Sequence, residues 1–555
     1  MIGVHAEAAD HNVVCEFFEL FKTPWEFARQ DRHYEVLLHA GDGRPEASGK
    51  LVLVYAGRKV SFDQEQEIRP GRDRSRLSIL SYLESRIPIY GESVTFPAQG
   101  SQLLTREDSK ECAAYLSESQ GTVTARIGYD LFAEVRSLLT VGQPAANASL
   151  PALELHIALL RDLIIACGVS LVEVPPVPDG HQFVVCLTHD VDHPSIRQHQ
   201  WDHTMFGFLS RALFASVLRV FRGQLSIRGL LRNWTAAFEL PLVHLGWVPD
   251  FWRDFADRYL ELEAGKPSTF FVIPFADRAG RTPDGAAPAL RASRYGAQYL
   301  ADTLGKLQSA DCEIALHGID GWTDSALGRQ ELEEVRRLVG ASAMGVRMHW
   351  LYYGQQSAAK VEAAGAAYDS TIGYNDTIGY RAGTTQVYKP LDANRMLELP
   401  LHAMDTAMFY SSYLNLSLHQ AKMRLRQLGD NVVRFGGTLT INWHDRSIAP
   451  ERLWSGCYRD LIKDLGSRGA WFSTAGQAVS WFQKRRRVAF ETDRAEPGKV
   501  RAVAVDGPGD NLPGLRLRTH RAQNVGCLGS HRLQDYVDTA IEESNATDVA
   551  CRAEK

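Results

Sequence analysis

The chain has 555 residues, 45% of them hydrophobic and 23% charged, with a formal net charge of -5. That length fits a globular protein of two or three domains, and nothing in the charge balance suggests a nucleic-acid binder. Eight cysteines are scattered without a Cys-x-x-Cys pair, and several lie inside apolar runs where Cys behaves as a small buried hydrophobe, so a reduced compartment is the simpler expectation.

Met1 to Phe17 mixes His, Glu and Asp into its apolar residues and lacks the charged start and apolar core of an export signal. No window approaches ~18 uninterrupted apolar residues, the length that crosses a bilayer. A cytoplasmic location is expected from these features.

Residues 1–175 read as an α/β unit, with strand-like runs at Tyr34 to His39 and Leu51 to Tyr55. Helical patterns follow at Leu131 to Leu139 and Leu150 to Ala166, where apolar residues recur at three and four spacing. The proline-rich stretch from Val174 to Gly180 breaks regular structure and marks a boundary. Between 183 and 482 eight apolar runs alternate with helical patterns: Phe183 to Thr188, Ser268 to Ile273, Cys312 to His317, Gly345 to Trp350, Ala366 to Thr371, Met396 to Leu401, Leu439 to His444 and Ala470 to Thr474. Short apolar strands separated by helices pair in parallel, and seven or eight of them close a β/α barrel. The fold class expected is therefore α/β: a distorted β/α barrel over 180–485 with an N-terminal α/β domain. Residues 488–555 read as a small β appendage or a partly disordered tail, with strands at Val500 to Val505 and Leu515 to Thr519.

Polar residues gather where barrel sites lie, at strand ends: Asp190, Asp192, His317, His349, Asp369 and His444. The strand period of two puts Asp190 and Asp192 on one side. Two crowded carboxylates repel unless a cation lies between them or one holds a proton, which makes a metal-dependent hydrolytic centre the leading reading. Zinc prefers tetrahedral N and O ligands with one position open. Asp192, His317 and one more histidine would supply three. Arg347 would share a strand face with His349 and hold a carboxylate ionised. His444 is a candidate general acid. His189 and His193 alternate to the other side, where structural or surface roles are expected.

Six ordered segments carry a resemblance: Thr188-His-Asp-Val-Asp192, Ser268-Thr-Phe-Phe-Val272, Glu313-Ile-Ala-Leu-His317, Gly345-Val-Arg-Met-His349, Tyr368-Asp-Ser-Thr371 and Asn442-Trp-His444. Over roughly residues 183–482 the chain resembles the polysaccharide deacetylases of the fourth carbohydrate esterase group, the NodB-like barrels, which use a divalent metal. The resemblance implies Asp190 as general base, Asp192 and His317 as metal ligands, Arg347 orienting Asp190, Asp369 supporting the site and His444 as acid. One departure stands out: the family's second metal histidine falls four residues after the first, and here that position is Gly321. His349 is the expected substitute. The layout of the N-terminal unit and of the insert over 200–265 also resembles some polysaccharide-biosynthesis relatives.

For substrate contacts the expectation is Arg381 and Tyr374, in the polar loop after the Asp369 strand, and Trp443. Trp322, Trp350, Tyr352, Tyr353 and Trp454 also cluster near strand ends, where flat rings stack on sugars. From His203 to Phe238 there are five arginines and no acidic residue. Phe206, Leu209, Leu213, Val217, Val220 and Phe221 recur there at helical spacing, opposite Arg211, Arg219 and Arg222. Such a segment either covers the barrel as an insert or touches an anionic membrane surface. The function expected is removal of acyl groups, N-acetyl first, from a carbohydrate or polysaccharide precursor, with zinc or another divalent metal. Hydrolysis of a non-sugar C–N bond and a catalytically silent carbohydrate-binding protein are the alternatives.

Overall fold

Phe183–Val191, designated β1, is buried along its whole length, as a strand covered on both faces must be, and it organises the sheet around it. The computed structural model describes residues 1–42, 47–71, 75–97, 101–119, 121–223, 225–492, 500–505, 511–523, 535–541 and 543–544. The chain divides into two compact units, one of Met1–Gly180, Tyr380–Leu391 and Trp481–Lys555, the other of His181–Gly379 and Asp392–Ser480.

In the second unit β1 is followed by β2 (Thr269–Val272), β3 (Glu313–Gly318), β4 (Val346–Met348), β5 (Tyr368–Asp369), β6 (Leu397–Glu398), β7 (Ala403–Met404), β8 (Thr438–Asn442) and β9 (Ala470–Ser473). They pair in parallel, in the order β6-β5-β4-β3-β2-β1-β8-β7 with β9 also on β1. The end strands β6 and β7 are two halves of one extended run. Its Leu399 and Leu401 amides donate to Asp369 and Ile372 on one side, and its His402 amide donates to Thr440 on the other, so this run closes the sheet into a ring. The ring is distorted at β1, whose first half pairs with β9 and whose second half pairs with β2. Each expected strand position carries a strand, and the barrel is the distorted β/α type expected. The main local difference is at β4, which stops at Met348 and turns through His349–Leu351, with Trp350 at φ 63.

Between β1 and β2 the chain inserts a helical run, His203–Leu209, Ser210–Ala215 and Ser216–Phe221, followed by Ile227–His244. Met205, Phe208 and Ala212 pack against Ala236, Leu240, Val243 and Trp252. The apolar face expected from spacing is only partly right: Leu209 and Leu213 lean on this core, but Phe206 and Phe221 are exposed. Already in His203–Leu209 the buried residues are Met205 and Phe208 rather than Phe206, and the π-helical segment Ser210–Ala215 changes the phase again before Phe221. By length and mean hydropathy, 1.4, His203–Phe221 could cross a membrane. Met205, Phe208 and Ala212 on its inner side belong to the insert's own core, and 28% of it is buried.

The first unit is built on a nine-stranded mixed sheet. Trp25–Phe27, Ile2–Ala6, His33–Ala40, Ser48–Tyr55 and Thr122–Ile127 run parallel, and antiparallel strands from Cys112–Ser119 to Ser85–Ser93 complete it. Helices Leu131–Thr140 and Ala152–Ala166 match the two expected amphipathic stretches. The C-terminal segment does not stand apart from this unit. Arg516–His520 pairs with Leu171–Glu173, and buried Glu173 accepts from Arg161 at 2.8 Å and meets His520 at 3.0 Å. Much of 488–555, including the remainder of the expected tail, lies outside the described residues.

Candidate metal centre and active site

Asp190 sits near the end of β1 in a closed set of partners. Its Oδ1 accepts from Arg347 Nη1 at 2.9 Å and its Oδ2 from Asn442 Nδ2 at 2.8 Å. Arg347, fully buried, also donates to Thr188 Oγ1 at 2.9 Å and to the Ser370 carbonyl and hydroxyl at 3.0 Å. Its guanidinium lies over the Phe271 ring at 4.2 Å. Burial alone would raise the Asp190 carboxyl, but His317, Arg347 and His444 hold it below the usual carboxylate range. Asp190 is thus an oriented, ionised carboxylate, and Arg347 fixes its orientation. Asn442 is a partner that strand-end reasoning did not assign; its place two residues before His444 was the available signal.

Asp192, His317 and His349 form the one set of metal-competent side chains found among the described residues, with ligand atoms within 4.8 Å of one another. His317 Nε2 lies 3.4 Å and His349 Nε2 3.6 Å from Asp192 Oδ1. His317 Nδ1 meets the Arg347 carbonyl at 2.9 Å, which assigns the proton to Nδ1 and leaves the Nε2 lone pair facing inward. Burial pushes His349 down to about 3, so its imidazole is neutral, as a ligand must be. Asp192 Oδ1 is buried without a hydrogen-bond partner, and buried orphan oxygens are rare enough to need a reason. A cation between these three groups is that reason, so the donor set fits a divalent metal.

The Gly321 departure has a structural explanation. A Cβ there would lie 3.1 Å from Gly328 Cα and 3.2 Å from Met348 Cε, so this loop packs backbone to backbone on helix Ser325–Val339 and admits no imidazole. His349 reaches the site because the chain leaves β4 at Met348 and turns through left-handed Trp350, a conformation costing on the order of 1 kcal/mol. Arg291 braces that turn: its Nη2 donates to the Ile319 and His349 carbonyls at 3.0 and 2.8 Å. Asp369 acts on the site from behind β4. Its Oδ1 accepts from the Thr371 hydroxyl, which in turn accepts from the Met348 amide at 3.0 Å; its Oδ2 has no partner, and burial pushes it up to about 6. It does not line the cavity, so it positions the end of β4 and touches no reacting atom.

His444 is held by Asp405, a residue the sequence reading missed. Asp405 Oδ1 accepts from His444 Nδ1 at 2.6 Å and Oδ2 from the His444 amide at 2.7 Å. Burial would lower this imidazole, but Asp405 and then Asp192 and Asp190 push it up to about 10. His444 is therefore a proton donor at neutral pH, with Nε2 3.7 Å from Asp192 Oδ2. No motif flags Asp405, which follows β7 in a short helix, Asp405–Phe409.

A cavity of about 800 Å³ is lined by Asp190, Asp192, His317, His349 and His444, and by the rings of Trp350, Tyr352, Phe409, Tyr410, Tyr413 and Trp454. The expected substrate contacts are corrected here. Tyr374, Arg381 and Trp443 are not among its lining residues. Trp443 is fully buried, its ring packed on Tyr458 at 5.1 Å, because it faces away from the strand end that carries His444. Arg381 belongs to the first unit, where its carbonyl accepts from the Gln143 amide at 2.7 Å. His189 is structural, as expected, between the Trp443 carbonyl and Glu263 at 2.8 Å each. His193, by contrast, lines the cavity.

The sequence matches no protein-family model and no curated protein. Solved structures do match. A protein described as a polysaccharide deacetylase from Mycobacterium smegmatis is 16% identical over 56% of this chain and 95% of its own, with a TM-score of 0.33. Another so described, from Pseudomonas aeruginosa PAO1, is 16% identical over 56% of this chain and 94% of its own, with a TM-score of 0.34. The Puue allantoinase is 17% identical over 56% of this chain and 92% of its own, also at 0.34. The chain is similar to all three. Such distant likeness does not choose between their activities, and the chemistry rests on the site itself.

Proposed function

We propose that this protein is a metal-dependent deacetylase that removes an acyl group, N-acetyl first, from a carbohydrate, with zinc held by Asp192, His317 and His349. The observation that carries this reading is the unpartnered Asp192 Oδ1 facing two imidazole nitrogens, between an ionised Asp190 and a protonated His444. A divalent cation there polarises a carbonyl and acidifies water. Asp190, fixed by Arg347 and Asn442, accepts the proton of the attacking water. His444, held by Asp405, gives a proton to the departing amine nitrogen as the C–N bond breaks. The aromatic walls at Trp350, Tyr352 and Tyr410 suit a sugar ring and favour this substrate class over a small non-sugar amide.

The test is acetate release from N-acetylated oligosaccharides by the full chain, before and after chelation. Release that stops on chelation and returns with zinc is expected. Hydrolysis confined to non-sugar amides points to the alternative C–N hydrolase, and tight sugar binding without any release or bound metal points to a silent binding protein.

Contact with an anionic membrane surface, the second of the two readings of this segment, is also part of this proposal, with a cytoplasmic enzyme acting on a precursor at the inner face. Its support is the outer side of the helical insert, where Phe214, Phe221, Phe238 and Trp247 are 74%, 85%, 73% and 76% exposed and Arg228 and Arg232 are exposed among them. Each such ring moved out of water contributes about 1.5–3 kcal/mol, and the arginines add attraction to anionic lipid. Flotation with vesicles containing anionic lipid is expected, weakened by high salt and by Phe214→Ser with Phe221→Ser. A chain that stays at the bottom of the gradient with such vesicles has no such surface.

A further inference from the structure

Deacetylation chemistry does not account for the arginines in the cavity. Arg211, Arg219 and Arg222 line it together with Asp190, Asp192 and His444, and they come from the helical insert rather than from the barrel strands. Arg211 Nε and Nη2 and Arg452 Nε and Nη1 are buried without a hydrogen-bond partner. Gly207, one turn before Arg211, gives that guanidinium room: a Cβ there would lie 3.1 Å from Nη1. Arg452 spends only Nη2, on the Tyr410 hydroxyl at 2.8 Å. Burial, then Arg452 and Arg446, push Arg211 down to about 10, which still leaves it charged at neutral pH.

Three carboxylates line the cavity among the described residues: Asp190, Asp192 and Glu451. Asp190 is taken by Arg347, Asp192 faces the histidines, and Glu451 lies 4.0 Å from Arg452 and accepts from Trp252 Nε1 at 3.4 Å. Arg211 therefore meets the charge of Arg452 and Arg446, both on the cavity wall, with Glu451 as the one acid set against them, and burial weighs on Arg219 as well; this excess of positive charge is costly in a partly enclosed space until an anion enters. A single carboxylate would neutralise one guanidinium. A phosphate or diphosphate, with more charge and several acceptor oxygens, matches a group of planar donors better.

Building on the deacetylase reading, we infer that the substrate is a sugar bearing a phosphate or diphosphate ester, which Arg211, Arg219 and Arg222, with Arg452, hold while the acylated ring reaches Asp190 and His444. The anion supplies binding and orientation and takes no part in bond breaking.

The experiment compares four probes with the full, metal-loaded chain: N-acetylglucosamine, its 1-phosphate, its uridine diphosphate ester, and its ester with a short-chain prenyl diphosphate. Binding is followed by calorimetry and turnover by acetate release. The phosphorylated probes are expected to bind at least about ten-fold more tightly than the neutral sugar, with the gap narrowing as salt is raised. In Arg211→Gln with Arg219→Gln that ratio is expected to fall to about one. Arg222→Gln, at an exposed position, serves as a second variant that keeps the fold and should lower the ratio in the same direction. A wild-type ratio near one, or a ratio unchanged in folded variants, overturns the inference. Preference between the nucleotide and prenyl esters identifies the source of the phosphate. Absence of acetate release from every probe would count against the deacetylase reading alone, because the binding ratio still decides the anion site.

Discussion

Asp190→Asn is expected to lower kcat by about two to four orders of magnitude while leaving bound metal in place. The amide cannot accept a proton from water, and it cannot serve Arg347 and Asn442 as the carboxylate does, since one of its two atoms is a donor. Asp190 accepts from Arg347 Nη1 at 2.9 Å and from Asn442 Nδ2 at 2.8 Å, so one of these partners is left facing another N–H. A buried guanidinium stripped of its carboxylate costs about 3–5 kcal/mol, and thermal unfolding should register this as a lower Tm. Kinetics and metal analysis on the same preparation separate the two roles: activity lost with metal retained marks a base, whereas metal lost as well would make Asp190 a ligand.

Asp405→Asn is the second large effect, again about two to four orders of magnitude in kcat. With Asp405 in place, His444 is pushed up to about 10, and the imidazolium form persists to high pH. The sign of the pH effect follows. A proton donor works below its own pKa, so activity falls as pH rises through that value. Removing Asp405 lowers the His444 pKa, and the alkaline limb of the kcat profile must move to lower pH. The amide also turns a donor toward either His444 Nδ1 or the His444 amide, which releases the ring from its fixed orientation. A profile whose alkaline limb stays in place in Asp405→Asn would remove Asp405 from this role and leave it as a cap on the short helix.

The barrel was legible because its strands are buried on both faces and read as plain apolar runs, and because each run ends where polar residues gather. Those run ends carry Asp190, Asp192, His317, Arg347 and His444 to one rim. The directions of side chains beyond strand ends were less legible. Trp443 lies one residue past β8 and turns inward, and His349, expected from alternation with Arg347, lies just past the end of β4, where the chain turns through left-handed Trp350. Asp405 and Arg291 act through contacts with residues 39 and 58 positions away along the chain, which no local pattern encodes. In the insert the buried side is carried by Met205, Phe208 and Ala212, one position out of step with the expected face, so Phe206 and Phe221 lie outside while Arg211 and Arg219 line the cavity. The first unit also draws in Tyr380–Leu391, a segment that in sequence reads as an ordinary polar loop of the barrel.

The central claim is that Asp192, His317 and His349 together hold the cation, with His349 in the role that Gly321 cannot fill. Metal content of the purified chain, measured by mass spectrometry for the wild type and for His349→Ala after equal exposure to zinc, tests it most directly. About one ion per chain in the wild type and a background level in the variant is the predicted result. Full zinc occupancy in folded His349→Ala would contradict it.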